Sequence, residues 1–123
     1  MEKKVLVVED SPTMRSLIVS TVEGLDDIDV TETSSGFEAL KILPHEKFDL
    51  ILTDINMPDI NGLELVKFVK TNPEYKKIPL IIISTEGSDR DRQRGMDLGA
   101  NEYVIKPFKP EEVQKLIRKY LEA

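Results

Sequence analysis

The chain has 123 residues, a formal net charge of −6, 40% hydrophobic residues and 33% charged residues, which fits one domain over residues 1–123 with a single core. This acidic balance argues against nucleic acid and anionic membrane surfaces as partners, because both select basic patches. One histidine and no cysteine exclude thiolate and histidine-cluster metal sites within one chain. Without a signal peptide or an apolar run of membrane length, we expect a cytoplasmic protein.

Apolar runs and helical periodicities alternate along the chain. In order, they predict a strand at 5–8, a helix with Met14, Leu17, Ile18 and Leu25 on its apolar face, a strand at 29–33, and a short helix with Phe37, Leu40 and Leu43 before Pro44. A strand at 50–52, a helix with Leu65, Phe68 and Val69 inward, and a strand at 80–83 follow. The last elements are a charged helix over 89–99, a strand at 102–105, and a helix that Pro110 opens and that carries Val113, Leu116, Ile117, Tyr120 and Leu121 on one face.

This alternation predicts the fold class. Continuous apolar runs rich in β-branched residues are typical of strands buried on both faces of a parallel sheet. Strand and helix alternate five times, so we expect a doubly wound α/β fold with right-handed crossovers. The helix at 89–99 has dense charges and few apolar residues, and we expect it to make a thin contact with the core and to be mobile.

Acidic residues follow several of the predicted strands. The carboxyl ends of parallel strands meet at one edge, which brings together the residues after each run: Glu9, Asp10, Asp54, Ser84, Thr85 and Lys106. One acid after a strand is usually a loop or cap residue, but three carboxylates at one edge repel each other unless a cation lies among them. Oxygen ligands alone suit Mg²⁺ or another hard divalent cation such as Mn²⁺. Carboxylate, dication, lysine and hydroxyl together would accept a phosphoryl group.

Four segments carry a resemblance to a known family. VLVVEDSPTMR, LILTDINMPDINGLEL, LIIISTEG and YVIKPFKPEE resemble, in order and spacing, the receiver domains of two-component response regulators. Within that family the chain is most similar to stand-alone chemotaxis-type (CheY-like) members. The resemblance covers essentially the whole chain, and it implies a flavodoxin-like sheet of five parallel strands in the order 2-1-3-4-5 with five helices.

The resemblance also implies roles for the residues at the sheet edge. Asp54 would be the phosphoacceptor, and Lys106 would contact the phosphoryl group. Mg²⁺ would be held by Asp10, Asp54 and the backbone carbonyl of Asn56. Glu9 would act on the ion mainly through water.

Other positions would transmit or tune the signal. Ser84 stands where the family has its switching hydroxyl, and Tyr103 where it has an aromatic switch, although a tyrosine on an edge strand usually only packs its ring. The bond before Pro107 is expected to be cis, and Glu86 occupies a place that tunes phosphoryl lifetime among relatives. We interpret Asp59, in PDING, as a turn residue before the third helix.

The function implied is a phosphorylation-activated response regulator that takes its phosphoryl group from a histidine kinase, in chemotaxis or another pathway. Beyond its own phosphorylation and dephosphorylation we expect no enzymatic activity. With no output domain in the chain, we expect signalling by contact between a downstream protein and the fourth helix, fifth strand and fifth helix. A monomer is expected, with a dimer left open, and the alternatives are a phosphoryl sink and a phosphorylation-independent pseudo-receiver adaptor.

Two rival classes share parts of this pattern. Phosphatases of the haloacid dehalogenase type also use a strand-end aspartate, but they resemble Asp-x-Asp, and here the second acid is replaced by Asn56. A flavin-binding module would need hydroxyls and glycines after the first strand, where this chain has Glu9 and Asp10. Both rivals are therefore disfavoured.

Overall fold

The computed structural model describes residues 2–85 and 89–122, so that Glu86 lies outside the described residues. Its elements are β1 (Lys3–Val8), α1 (Pro12–Glu23), β2 (Ile28–Thr33), α2 (Gly36–Ile42), β3 (Leu50–Thr53), α3 (Gly62–Thr71), β4 (Leu80–Ser84), α4 (Asp89–Asp97), β5 (Glu102–Ile105) and α5 (Pro110–Leu121). The strands form one parallel sheet in the order β2-β1-β3-β4-β5. The predicted doubly wound α/β fold and its strand order are confirmed.

The side chains of the central strands alternate between two cores, one on each face of the sheet. Leu6 and Val8 of β1 pack with α2 and α3, whereas Val5 and Val7 pack with α1 and α5. Every residue of β3 and β4 is buried as well. Each fully buried aliphatic side chain stabilises the fold by roughly 2 kcal/mol. Strands that are apolar on both faces therefore gain this stabilisation in full only between two layers of helices.

The helices begin where the sequence provides caps. Ser11 accepts a hydrogen bond from the backbone N–H of Met14 at the start of α1, and Asn61 accepts one from Leu63 at the start of α3. Pro110 opens α5, as predicted. A proline at the first helical position costs no hydrogen bond, because the N–H of any other residue at that position would have no partner in the helix.

Three of the predicted inward-facing residues are in fact exposed. Leu17 of α1, Phe37 of α2 and Phe68 of α3 are each more than one-third exposed, so their assignment to the core face was wrong. In α1 the core positions belong to Ile18 and Val22. Phe68 packs instead against Tyr75, with ring centroids 6.0 Å apart. The apolar character of a helical residue does not by itself determine whether its side chain faces the sheet, because the apolar face of the helix is narrow.

The charged helix α4 makes the thin contact that its sequence predicts. Gly95 is its one buried residue, and the structure describes this helix throughout. A Cβ placed on Gly95 would lie 2.7 Å from the Cδ1 atom of Ile82, so the glycine lets α4 approach β4 closely. Among residues 2–85 and 89–122, no helix is both long enough and apolar enough to cross a membrane.

Candidate functional site

Four charged side chains meet at the carboxyl edge of the sheet. Carboxylate oxygens of Glu9, Asp10 and Asp54 lie within 4.8 Å of one another. The Nζ atom of Lys106 lies 2.6 Å from Oε1 of Glu9 and 3.5 Å from Oδ2 of Asp54. Glu9 and Asp54 are buried, and Asp10 is half-buried. The structure therefore brings together four residues that the sequence places directly after three different strands.

Strand pairing explains why these side chains converge. Val8 pairs with Thr53 at the end of the β1–β3 ladder, and the N–H of Asp54 donates to the carbonyl of Val8 at 3.1 Å. On the other side, the N–H of Lys106 donates to the carbonyl of Ser84 at 2.8 Å. Asp54 and Lys106 are thus each fixed by a backbone hydrogen bond that continues the strand before them.

The cluster carries an excess of negative charge. Three carboxylates against one ammonium leave two negative charges uncompensated when all four groups are ionised. Burial raises the pKa of Glu9, the hydrogen bond from Lys106 opposes that rise, and the charge of Asp54 adds to it. A divalent cation would relieve this repulsion, and a set of oxygen donors without nitrogen or sulfur suits a hard ion.

The carboxylate oxygens are not equivalent. Oε1 of Glu9 faces Lys106, and its Oε2 accepts a hydrogen bond from the N–H of Ser11 at 3.2 Å. Oδ1 of Asp54 accepts one from the N–H of Ile55 at 2.7 Å, which leaves Oδ2 facing Lys106. Both oxygens of Glu9 are therefore engaged by the protein, while Asp54 directs one oxygen toward the ammonium.

The remaining predicted site residues are Ser84, Asn56 and Tyr103. Ser84 is the fully buried last residue of β4, and Asn56 is exposed, two residues after Asp54. Tyr103 lies in β5 beside Ile82 of β4, and its ring is buried near Gly95 of α4. Ser84 thus ends β4 at the carboxyl edge of the sheet, whereas Tyr103 lies within β5.

The structure adds Arg15 to the site and confirms the expected cis peptide bond before Pro107. The guanidinium of Arg15 donates to the carbonyl of Glu9 at 3.0 Å and pairs with Glu32 at 3.1 Å, which holds the turn after β1. Arg15 belongs to the segment VLVVEDSPTMR, but the letters alone gave it no role. The peptide bond between Lys106 and Pro107 is cis, as the resemblance implies.

Gly62 also shapes the site, and sequence reasoning did not single it out. A Cβ placed there would lie 1.9 Å from the carbonyl oxygen of Asp54 and 2.7 Å from Cα of Ile55. The N–H of Gly62 donates to the carbonyl of Ile55 at 2.7 Å, which closes the loop after Asp54. A glycine at the start of an apolar helix was the available signal, since a close backbone approach admits no side chain.

Comparison with known proteins agrees with the geometry. The family model described as the response regulator receiver domain matches residues 5–118, and this chain belongs to that family. The resemblance seen in the sequence segments is thereby confirmed, and it places the chain among the modules of two-component signalling.

Several relatives are chemotaxis proteins. A chemotaxis protein CheY homolog of Campylobacter jejuni is 40% identical over 119 residues, covering 96% of this chain and 92% of that protein. Chemotaxis protein CheY1 of Helicobacter pylori is 41% identical over 113 residues, which is 91% of each chain. The solved structure of Vibrio cholerae chemotaxis protein CheY4 has a TM-score of 0.89 and 34% identity, covering 98% of this chain and 99% of that one.

Proposed function

We propose that this receiver is a phosphorylation-activated response regulator whose Asp54 accepts a phosphoryl group from the phospho-histidine of a histidine kinase. The observation that carries the proposal is the placement of Asp54, buried at the sheet edge with Oδ2 facing the ammonium of Lys106 at 3.5 Å. A carboxylate beside a cation, within a larger acidic cluster, can attack phosphorus while the charge on the phosphoryl oxygens is neutralised.

The proposed reaction is one phosphoryl transfer. Oδ2 of Asp54 forms a bond to phosphorus while the phosphorus–nitrogen bond of the donor breaks, and the imidazole leaves with that electron pair and takes a proton from water. We assign Oδ2 as the nucleophile because Oδ1 is held by the N–H of Ile55. The product is an acyl phosphate. The ammonium of Lys106 then turns from the carboxylate of Glu9 toward the oxygens of the phosphoryl group. Attack of water on phosphorus later breaks the bond between phosphorus and Oδ2, which releases inorganic phosphate and regenerates the carboxylate of Asp54.

Divalent cation binding belongs to this proposal. Asp10, Asp54 and the backbone carbonyl of Asn56 would hold Mg²⁺, or another divalent cation such as Mn²⁺. An indirect role for Glu9, through water, is supported by the engagement of both its oxygens with Lys106 and Ser11. When bound, the ion supplies positive charge that neutralises the transferring phosphoryl group.

The signal would leave through the face formed by α4, β5 and α5. Phosphorylation adds charge that attracts the hydroxyl of Ser84, and Tyr103, buried beside Gly95, would pass that movement to α4. Met96 and Ile105 expose apolar surface on this face. Such a switch shifts an equilibrium between two states, so the downstream partner must bind the phosphorylated form more tightly.

The setting of this switch is also proposed. Chemotaxis proteins among the relatives favour a chemotactic pathway. A receiver that is phosphorylated by a kinase making phospho-histidine from ATP would work in the cytoplasm. We propose that it does so as a monomer, with a dimer as the alternative. Its partners would be proteins, since a net charge of −6 disfavours nucleic acid and anionic membranes. A phosphoryl sink for another regulator, or a phosphorylation-independent adaptor, is the alternative.

Intact mass measurement after incubation with Mg²⁺ and acetyl phosphate tests the core of this proposal. We expect one base-labile phosphoryl group on the wild-type chain, and none on Asp54→Asn or in the presence of EDTA. A folded wild-type chain that takes up nothing would contradict the proposal and favour the phosphorylation-independent adaptor.

A further inference from the structure

The loop between Asp54 and α3 is tied to the start of α2 by the carboxylate of Asp59. Oδ2 of Asp59 accepts a hydrogen bond from the N–H of Phe37 at 2.9 Å, and Oδ1 accepts one from the N–H of Gly36 at 3.3 Å. The bond from Phe37 is the main reason that the pKa of Asp59 is lowered. At neutral pH the carboxylate is charged, so both hydrogen bonds are charge-assisted.

A second contact joins the same two segments. The side chain of Ile60, the next residue of the loop, lies over Gly36, so that a Cβ placed on Gly36 would be only 2.9 Å from Cβ of Ile60. Adjacent loop residues thus dock on one spot of α2, one by charge-assisted bonds and the other by apolar packing. The absence of a side chain at Gly36 permits this approach.

The chain between Asn56 and Asp59 has little freedom. It consists of Met57 and Pro58, and a proline fixes its own φ and restricts the residue before it. The far end of the loop is closed by the hydrogen bond from the N–H of Gly62 to the carbonyl of Ile55. Because Met57 and Pro58 have few backbone rotations available, a displacement of Asp59 should also displace the backbone of Asn56.

We infer that Asp59 is a positioning residue for the divalent cation. Its anchorage on Gly36 and Phe37 holds the backbone carbonyl of Asn56 in place at the acidic cluster, and thereby sets the affinity of the site for Mg²⁺. This inference rests on the proposed function, which assigns that carbonyl as a metal ligand. It gives Asp59 a role beyond the turn that the sequence suggested.

Titration calorimetry with Mg²⁺ alone, without a phosphodonor, tests this inference. Asp59→Ala should weaken Mg²⁺ binding by about tenfold or more, as the loss of groups that orient metal ligands generally does. Asp59→Asn keeps one acceptor oxygen and should lose less. Gly36→Ala retains every charge and pushes on Ile60, so its weaker binding would report loop position and not a lost negative charge.

The matched control is Ser35→Ala. The hydroxyl of Ser35 accepts a hydrogen bond from the N–H of Glu38 and caps α2. The Ser35→Ala variant should lower the urea midpoint of unfolding, as Asp59→Ala does, but its Mg²⁺ affinity should equal that of the wild type.

Three results would overturn the inference in distinguishable ways. Wild-type affinity in both Asp59→Ala and Gly36→Ala would refute it while leaving the proposed function intact. Equal weakening in Ser35→Ala would mean that only the stability of α2 matters. A wild-type chain that binds no Mg²⁺ would remove the proposed metal site, and this inference with it. If Asp59→Ala does not fold, Asp59→Asn and Gly36→Ala decide the question.

Discussion

The ammonium of Lys106 lies 2.6 Å from a carboxylate oxygen of Glu9, although the two residues are 97 positions apart in the sequence. Their side chains are only 7% and 1% exposed, so neither charge is well solvated. The same ammonium lies 3.5 Å from Asp54. Glu9 therefore holds a positive charge next to the proposed phosphoacceptor before any phosphoryl group arrives.

Removing that ammonium should destabilise the fold. Lys106→Met preserves the length of the side chain but leaves the carboxylates of Glu9 and Asp54 without their cation, and breaking a buried pair costs about 3 kcal/mol. Urea unfolding in EDTA measures this loss. Lys119→Met, which breaks the largely exposed pair with Glu102, should change the free energy of unfolding by no more than about 0.5 kcal/mol. Equal stability of Lys106→Met and the wild type would contradict this account.

Neutralising Asp54 should have the opposite effect on stability. Asp54→Asn keeps an oxygen for the N–H of Ile55 and removes one of three mutually repelling carboxylates, so we expect a gain of about 1 kcal/mol in EDTA. Asp54→Ala also relieves repulsion but leaves that buried N–H without its acceptor, and it should be less stable than Asp54→Asn by about 1 to 2 kcal/mol. If Asp54→Ala were more stable to unfolding than Asp54→Asn, the hydrogen bond from the N–H of Ile55 would contribute little to stability.

Added Mg²⁺ should stabilise the wild-type chain by mass action. At a concentration of about 100 times the dissociation constant, the free energy of unfolding should rise by about 2.7 kcal/mol. Asp10→Asn removes a proposed ligand and should lose most of this gain. Sodium chloride at matched ionic strength serves as the control, because screening alone would relieve part of the repulsion. An undiminished gain in Asp10→Asn would exclude Asp10 from the metal site.

A methyl group at Gly62 should be severely destabilising. Its position 1.9 Å from the carbonyl oxygen of Asp54 forces the backbone of the site to move, and we expect Gly62→Ala to lose more than about 4 kcal/mol or to fail to fold. Gly24→Ala is the matched control, because its Cβ meets the flexible end of Gln114 at 2.7 Å. That variant should lose about 1 kcal/mol, through the hydrogen bond from Gln114 to the carbonyl of Thr21. Similar urea midpoints for the two variants would refute the steric argument.

Alkaline pH should reveal the pairing of Tyr120 with Glu102. Burial, followed by the hydrogen bond to Glu102 and its charge, raises the pKa of Tyr120 to about 12. A raised pKa means that the fold favours the neutral phenol, so this stabilisation is complete below the ordinary pKa of about 10 and is lost as the pH rises toward 12. Unfolding free energies measured across this range should fall less steeply for Tyr120→Phe than for the wild type. Parallel curves would contradict the assignment.

Much of the fold follows from the letters, because burial on both faces leaves a plain signal. The runs in β1, β3 and β4 located the central strands, although Lys3 and Lys4 at the start of β1 carry no apolar signal and were not predicted. Parallel topology then placed Glu9, Asp10, Asp54 and Lys106 at one edge. The general physics of parallel strands was enough for that convergence.

Contacts between segments distant in sequence were less accessible. The bonds of Arg15 to Glu32, and of Phe37 to Asp59, depend on how separate segments of the chain lie against each other, and single-sequence periodicity contains no such information. Phe37 and Phe68 were misplaced for a related reason. Whether an aromatic side chain on a helix meets the sheet depends on the rotation of that helix, which its neighbours set.

The single buried glycine of α4 has a consequence for how this protein can evolve. Because Gly95 is the one buried residue of that helix, substitutions at the exposed positions of α4 change its surface at little cost in folding free energy. The acidic cluster, by contrast, is built on buried strand ends where most changes are costly. Descendants of this chain can therefore acquire new binding partners through α4 while the chemistry at Asp54 is inherited unaltered.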